Sequence, residues 1–480
     1  MVGEHRRSWQ ALDADVDALA ATLVERGLAR GERCAVLAPN GAGFVLAFFA
    51  ALRAGAVVVP VGARLAPTEV AHIVEDSGAV VLLFDPEHAD TAQVAAKGAW
   101  LGSLGPCSGF EDVLSSGFGP APALRVEDVD EQDDAIIMYT SGTTGKPKGV
   151  LLDHHRAIWA AMSEVASLGL RDGERYLHLA PLHHSGGIVF LVTTTLLGGT
   201  HVVLEAFEPV AVLDAIERER CTFFLAVPTM FAFLLRVPRL AHRDLSSWRL
   251  SVFGAAPMPR ATLEAMLAAF PSVELVQLCG QTEGGPGGIY STAEQVRAQP
   301  EVTGHQAMVF YESRVVEAGG DDDTEPGRVG ELVLRGEGVM KGYWNQPEAT
   351  ARTLRDGWLH TGDLVRRDPD GAMTLVDRLK DLIITGGQNV YSAEVELIVA
   401  DHPAVVDCAV VGRPHAEYGE SIVAFVVASA DRLAPTPEEL RDFCRGRIAR
   451  YKAPHDVVVI DVIPRNAAGK ALKHELRRLV

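Results

Sequence analysis

The sequence predicts an α/β protein, in which a large N-terminal part is followed by a small α+β part. Three observations carry this prediction. Between Trp9 and Phe84, stretches of helical periodicity alternate with short apolar runs, the pattern of a parallel sheet with helices on both faces. The apolar run Ala135–Met138 then leads directly into a loop rich in glycine, threonine and lysine, which reads as a buried strand opening onto a ligand. After Asp377 the composition changes, and short strands mix with capped helices over roughly a hundred residues.

Each element has a local cause. Trp9, Leu12, Val16, Leu19 and Leu23 step by three and four along one helix face, and Gly27 stops that helix. Residues 34–37, 57–59 and 79–84 are short apolar strands, and helices are expected over 42–53 and 67–75. The span 102–124, rich in Gly, Pro and Ser, reads as a loop. A helix over 157–167 and a strand over 176–179 follow, the strand leading to Pro181-Leu182-His183-His184-Ser185-Gly186-Gly187. Beyond Asp377, Ser392 is placed to cap a helix over 393–400, with strands over 405–411, 422–427 and 457–463. Thr436-Pro437-Glu438-Glu439 is a capping box with proline in the first turn, opening a helix to about Ile448.

Composition narrows the classes. The 480 residues are 48% hydrophobic and 22% charged, as in an ordinary globular protein with more than one core. The net charge of −19 argues against nucleic acid or an anionic membrane as the main partner. Six scattered cysteines without a CxxC pair suggest reduced thiols and a cytoplasmic protein. The first ten residues are charged, so no signal peptide is expected. The apolar run 44–61 is broken by Arg53 and Pro60, so no membrane span is expected. Asp321-Asp322-Asp323 reads as a solvated turn rather than a metal site.

The loop Tyr139-Thr140-Ser141-Gly142-Thr143-Thr144-Gly145-Lys146-Pro147-Lys148-Gly149 concentrates amides, hydroxyls and ammonium groups without bulk, which suits a polyphosphate. It is not GxxxxGK[ST]: Gly142 and Gly145 are too close, and Pro147 follows Lys146. The stretch resembles the phosphate-loop signature of the adenylate-forming superfamily of acyl-CoA synthetases, stand-alone adenylation domains and beetle-type luciferases, most of all the acyl-CoA synthetases. Later motifs lie in the family's order, so the resemblance covers nearly the whole chain.

The resemblance implies a multi-subdomain N-terminal domain, residues 1–376, and a mobile C-terminal lid domain, residues 377–480, with the hinge near Lys380. It implies nucleotide binding by Thr140, Ser141, Gly142, Thr143, Thr144 and Lys148, by the adenine-side turn Gly254-Ala255-Ala256, and by Gln281, Asp363 and Arg378. Thr282 and Glu283 would face the α-phosphate, with Glu283 holding Mg²⁺. Asp363, in Trp358-Leu359-His360-Thr361-Gly362-Asp363, would take the ribose hydroxyls. Lys470, in Pro464-Arg465-Asn466-Ala467-Ala468-Gly469-Lys470, would be the catalytic lysine. His184 would stand at the mouth of an acyl pocket bordered by Ser185, Gly186, Gly187, Gln277, Leu278, Gly280 and Gly285. Gly386 and Gly387 would border CoA.

The resemblance further implies ATP (or acyl-AMP), Mg²⁺ and CoA as cofactors, and a carboxylic acid as substrate. The small residues near His184 and after Glu283 favour a bulky or ring-containing acid. Three departures stand out. The family usually has a further segment before the first helix and often has proline where Ser392 stands. It also reads Gln-Gly-Tyr-Gly where this chain has Gln277-Leu278-Cys279-Gly280, so the aromatic that stacks on adenine is missing. Alternatives are an enzyme that makes the thioester from supplied acyl-AMP, an adenylation domain loading a carrier protein, and a non-catalytic nucleotide-binding regulator. The absence of an acid in 181–190 and of a carrier domain after Lys470 counts against an amino-acid adenylation domain. A homodimer is left open.

Overall fold

Cys34, Ala35, Val36, Leu37, Val58, Val59, Leu82 and Leu83 have no exposed surface. Strands buried on both faces read as continuous apolar runs and pair in parallel. In the computed structural model, which describes residues 6–114, 129–140, 147–256, 258–465 and 471–480, β1 (Arg33–Leu37) lies between β2 (Val57–Val61) and β3 (Ala79–Phe84). Cys34 stands opposite Val58 on one side and Val81 on the other. β4 (Trp100–Ser103) and β5 (Glu111–Asp112) extend this edge in parallel. The span expected as loop from Gly102 therefore holds strand residues, because these strands are too short to show a period of their own.

On the other edge β6 (Asp134–Thr140) joins β2 and turns back antiparallel into β7 (Lys148–Asp153), with Thr140 opposite Lys148. The hairpin thus brings the two ends of the phosphate loop together. Ser141, Gly142, Thr143 and Thr144 lie outside the described residues.

The helices packed on this sheet begin and end on identifiable caps. In α1 (Trp9–Glu25) the Ser8 hydroxyl accepts from the Ala11 amide, and Val16, Leu19 and Leu23 are buried. α2 (Ala42–Arg53) has the expected bounds. α3 (Pro67–Ser77) starts on proline and ends on Gly78 in the left-handed region, φ 62°. α4 spans Ala89–Ala95. α5 (His154–Leu168) starts three residues before the expected point, because the Asp153 carboxylate accepts from the Arg156 amide at 2.8 Å.

The second sheet is parallel across β8 (Arg175–His178), β9 (Thr200–Val203), β10 (Phe223–Ala226), β11 (Leu250–Gly254) and β12 (Glu274–Gly280), then antiparallel through β13 (Gly288–Ser291) and β14 (Gln306–Ala307). α6 (Ser185–Leu196) follows β8. The expected site motifs after β8, β11 and β12 all lie just beyond the carboxyl ends of parallel strands, where α/β sheets bind ligands.

Two compact units emerge among the described residues: 6–140, 147–313 and 334–360 form one; 314–333 with 361–465 and 471–480 form the other. In the second, Asp363–Arg367 pairs antiparallel with Met373–Arg378. A further sheet there runs in the order 388–390, 383–385, 419–428, 405–415, with 456–459 parallel to 419–428. Helix Ser392–Ala400 packs Val395 and Val399 against Val410 and Ile422 of this sheet.

Three details differ from expectation. Ser392 is the first residue of its helix rather than its cap, and its hydroxyl goes elsewhere. Helix Pro437–Cys444 opens on the expected box, but Arg445 is extended and Gly446 has φ 80°, so it ends before Ile448. The strand expected over 457–463 spans Asp456–Val459. Asp321–Asp323 form an exposed turn, with Asp323 held by Arg314 Nε at 2.8 Å.

Candidate active site

The start of α6 is the first fixed point. His184 is its N-cap in extended conformation and makes no side-chain cap. The His183 and His184 rings lie 4.3 Å apart. Burial pushes both below the ordinary histidine range, His183 to about 3, so both are neutral at pH 7. The Nε2 atom of His184 is buried and has no hydrogen-bond partner among the described residues. Ser185 Oγ accepts from Thr282 Oγ1 at 3.2 Å, which ties the start of α6 to the turn after β12.

That turn, Thr282–Gly284, is a short 3-10 helix. Glu283 Oε1 accepts from the Tyr343 hydroxyl at 2.9 Å, and the Met340 amide donates to the Glu283 carbonyl at 2.9 Å. Burial raises the Tyr343 hydroxyl above its ordinary range, so it stays a neutral donor. Lys148 Nζ sits 4.7 Å from the centre of the same ring. Lys148, Tyr343 and Glu283 thus form one assembly that links the phosphate hairpin to the turn. Sequence reasoning missed Tyr343, because a tyrosine on a two-residue strand leaves no local pattern.

With Oε1 held by a neutral donor, Glu283 offers its other carboxylate oxygen to a hard cation, a donor that fits Mg²⁺. Tyr343→Phe should raise the Mg²⁺ concentration needed for half-maximal activity by about 3- to 10-fold, the net effect of one ordinary hydrogen bond lost. A Mg²⁺ titration at saturating ATP checks this, and an unchanged midpoint removes Tyr343 from the site.

On β11, a side chain at Gly254 would meet the Leu278 carbonyl at 2.3 Å, so glycine there lets β11 and β12 approach. Ala255, exposed, has φ 64°, a left-handed conformation uncommon for alanine, at the expected adenine-side turn. Gln277, Leu278 and Cys279 are half-buried along β12. The expected acyl-side glycines are small for backbone contact. Added Cβ atoms would meet Pro181 O at Gly187 (2.2 Å), Pro286 O at Gly280 (1.9 Å) and Gly338 O at Gly285 (2.0 Å). Gly186 differs, since its nearest neighbour is the Leu225 side chain at 2.9 Å.

The second unit holds the other expected residues. Glu331 Oε1 accepts from the Gly362 amide at 2.9 Å, and Gly362 has φ 69°, which bends the strand just before Asp363. Asp363 is 6% exposed, and Arg378 Nε lies 3.0 Å from its Oδ1. The carboxylate of this ion pair is buried, while the Arg378 side chain is 35% exposed. Lys380 lies in a short turn whose carbonyl accepts from Arg477, and burial lowers its pKa. Gly386 and Gly387, φ 56° and 75°, form the two-residue turn of the hairpin 383–390. Lys470 lies outside the described residues. The chain on either side of it is joined by a bridge between Arg465 and Ala471, and by the Leu472 amide donating to Pro464 O at 2.8 Å.

The family model described as AMP-binding enzyme matches residues 1–344, and that of the AMP-binding enzyme C-terminal domain matches 394–470. The chain belongs to the AMP-binding enzyme family. This AMP-binding enzyme is 39% identical over 473 residues to a feruloyl-CoA synthase of an Amycolatopsis species, covering 98% of this chain and 93% of the relative. It is 35% identical to the indoleacetate–CoA ligase of Aromatoleum aromaticum strain DSM 19018, covering 99% and 94%. ATP-bound MatB from Rhodopseudomonas palustris superposes with a TM-score of 0.88 at 31% identity, covering 100% and 94%.

The enzyme is of the acyl-CoA synthetase type, an AMP-forming acid–thiol ligase with a large N-terminal α/β domain and a smaller C-terminal domain. Its reactants are a carboxylic acid, ATP and CoA. No helix among the described residues is long and apolar enough to cross a membrane.

Proposed function

We propose that this ligase activates a ring-containing carboxylic acid as its acyl-adenylate and passes the acyl group to CoA, with the residues above in the roles their motifs imply. The observation that carries the proposal is the Ser185–Thr282–Glu283–Tyr343 assembly at the start of α6, which places a hydroxyl, a carboxylate and a neutral imidazole together. Two of the relatives are named for ring-containing acids, feruloyl and indoleacetate.

Thr282, Lys148 and the phosphate loop bind and orient the ATP phosphates, while Asp363 and Arg378 take the ribose. Neutral His184 borders the acyl group without adding charge. Lys470 brings a cation to where negative charge builds during attack of the carboxylate. Mg²⁺, held by Glu283 when bound, neutralises phosphate charge. Gly386 and Gly387 face CoA, and the domains 1–376 and 377–480 rearrange near Lys380 between the two half-reactions.

ATP–pyrophosphate exchange across a panel of acids, followed by thioester formation with CoA, tests the reading. Ring-containing acids should give the highest kcat/KM, and acetate or propionate as the best substrate would refute it.

A second reading, favoured by Leu278 and Cys279, is that ATP binds weakly and the enzyme works best from acyl-adenylate. Successive strand residues face opposite ways, so Leu278 does not fill the space beside Cys279. Cys279→Tyr alone should therefore lower the Kd for ATP by about 2- to 12-fold, the size of one aromatic stacking contact. Calorimetric titration of both proteins with ATP measures this. Tight micromolar binding by the unaltered enzyme, with fast exchange, would defeat the second reading.

A further inference from the structure

Glu164 lies near the middle of α5 and is 1% exposed. Its Oε2 is buried without a hydrogen bond among the described residues. The hydroxyl of Tyr176, a residue of β8 with no exposed surface, is in the same condition. Buried polar atoms are almost always paired. Two orphaned ones, facing the same interior, point to a polar group that binds there.

The helix repeat fixes where Glu164 faces. Arg156, Ala160 and Glu164 follow one another at steps of four along one face of α5. Arg156 Nε donates to Val339 O at 2.9 Å. A side chain added at Gly338 would come within 3.2 Å of Ala160 Cβ and within 2.0 Å of the Tyr311 hydroxyl. This face of α5 therefore runs along 338–340 towards Tyr311.

The Tyr311 hydroxyl donates to the Gly284 carbonyl at 2.7 Å, beside Glu283, and its ring leaves no room for a Cβ at Gly287. On the other side, the Tyr176 ring stacks on Phe190 of α6 at 5.0 Å. The Leu225 amide lies near the Tyr176 hydroxyl but outside hydrogen-bond geometry, and the Leu225 side chain fills the space in front of Gly186. Burial raises both tyrosine hydroxyls, and the Glu164 charge adds to it, so Glu164 is within electrostatic reach of the α6 side and of the glycine side. Burial also pushes the Glu164 carboxyl up to about 8, leaving it mostly neutral at pH 7 and able both to donate and to accept.

We propose that Glu164, together with the Tyr176 hydroxyl, forms the polar end of the acyl pocket and hydrogen-bonds a hydroxyl or carbonyl oxygen at the far end of the carboxylic acid. This rests on the reading of 185–187 and 284–288 as pocket walls. An acid without that oxygen leaves the buried groups unpaired, which makes Glu164 a specificity determinant rather than a catalytic group.

The test compares 3-(4-hydroxyphenyl)propanoate with 3-phenylpropanoate, which differ by one hydroxyl, in ATP–pyrophosphate exchange. The unaltered enzyme should favour the hydroxylated acid by about 10-fold or more in kcat/KM. Glu164→Leu should bring that ratio close to one, the larger fall in kcat/KM being that of the hydroxylated acid. Glu164→Gln, which still hydrogen-bonds, should keep most of the preference, and Tyr176→Phe should lie between.

An unchanged ratio in Glu164→Leu, or an equal fall for both acids, overturns the inference. If Glu164→Leu fails to fold, the Tyr176→Phe ratio decides in the same way. Absence of exchange with any acid in the unaltered enzyme overturns the proposed function instead, which keeps the two failures distinguishable.

Discussion

Lys470→Ala is expected to slow adenylation by about 10²–10³-fold while leaving thioester formation from preformed acyl-adenylate far less affected. The factor is that of one preorganised charge donor removed from a site where charge develops. Lys470 follows Gly469 within a short segment whose flanks are joined by the Arg465–Ala471 bridge and the Leu472–Pro464 hydrogen bond. Arg465 also pairs with both carboxylate oxygens of Asp407, at 2.7 and 2.9 Å. The base of the segment is thus fixed in the C-terminal unit. Because thioester formation needs the pantetheine thiol rather than this cation, the two half-reactions should separate in the variant. Pyrophosphate exchange and single-turnover thioester formation from synthetic acyl-adenylate, measured on the same protein, give the comparison. Equal losses in both would sink the assignment of Lys470 to adenylation.

Much of the scaffold was legible because its causes are local. α2 has its expected bounds, and β3 spans the expected Ala79–Phe84, since continuous apolar runs between turn residues need no knowledge of the rest of the chain. The site motifs could be placed at strand ends for the same reason. What was not legible depends on partners distant in sequence. Tyr343 reaches Glu283 across 60 positions. Ser392 reads as a helix cap from its neighbours, yet its hydroxyl is taken by a residue 15 positions earlier. Glu164 looks like an ordinary polar residue of an amphipathic helix until the fold buries it. The glycines around the acyl side gave a half-legible signal: their smallness was visible, but whether it opens volume or admits a neighbouring backbone depends on what packs against them.

Lys473→Met is expected to lower the unfolding temperature of the C-terminal unit by on the order of 10 °C. Lys473 Nζ lies 2.7 Å from Glu396 Oε1 and donates to Ser392 Oγ at 2.7 Å. Ser392 Oγ in turn donates to Asp377 Oδ2 at 2.8 Å, and the other Asp377 oxygen accepts from the Arg378 amide at 2.7 Å. Glu396 also accepts from the Val410 amide at 2.7 Å. Ser392 has no exposed surface, and the Lys473 and Glu396 side chains are 12% and 24% exposed. Breaking a buried pair by removing one partner costs about 3–5 kcal/mol, because the other charge is left in a poor solvent.

Burial already raises the Glu396 pKa above the ordinary 4.5, against the opposing pull of Lys473, so removing the lysine raises it further. A folded-state pKa above the unfolded one gives stability that is present at low pH and lost as pH rises. The deficit of the variant should therefore be largest near neutrality and should shrink as pH falls towards 4.5. The double variant Lys473→Met with Glu396→Gln should recover most of the loss, because no charge is then left behind. Calorimetric unfolding of the three proteins at pH 7 and pH 5 provides the measurement. A shift below about 2 °C at pH 7, or a double variant as unstable as the single, would show that the pair is too well solvated to matter.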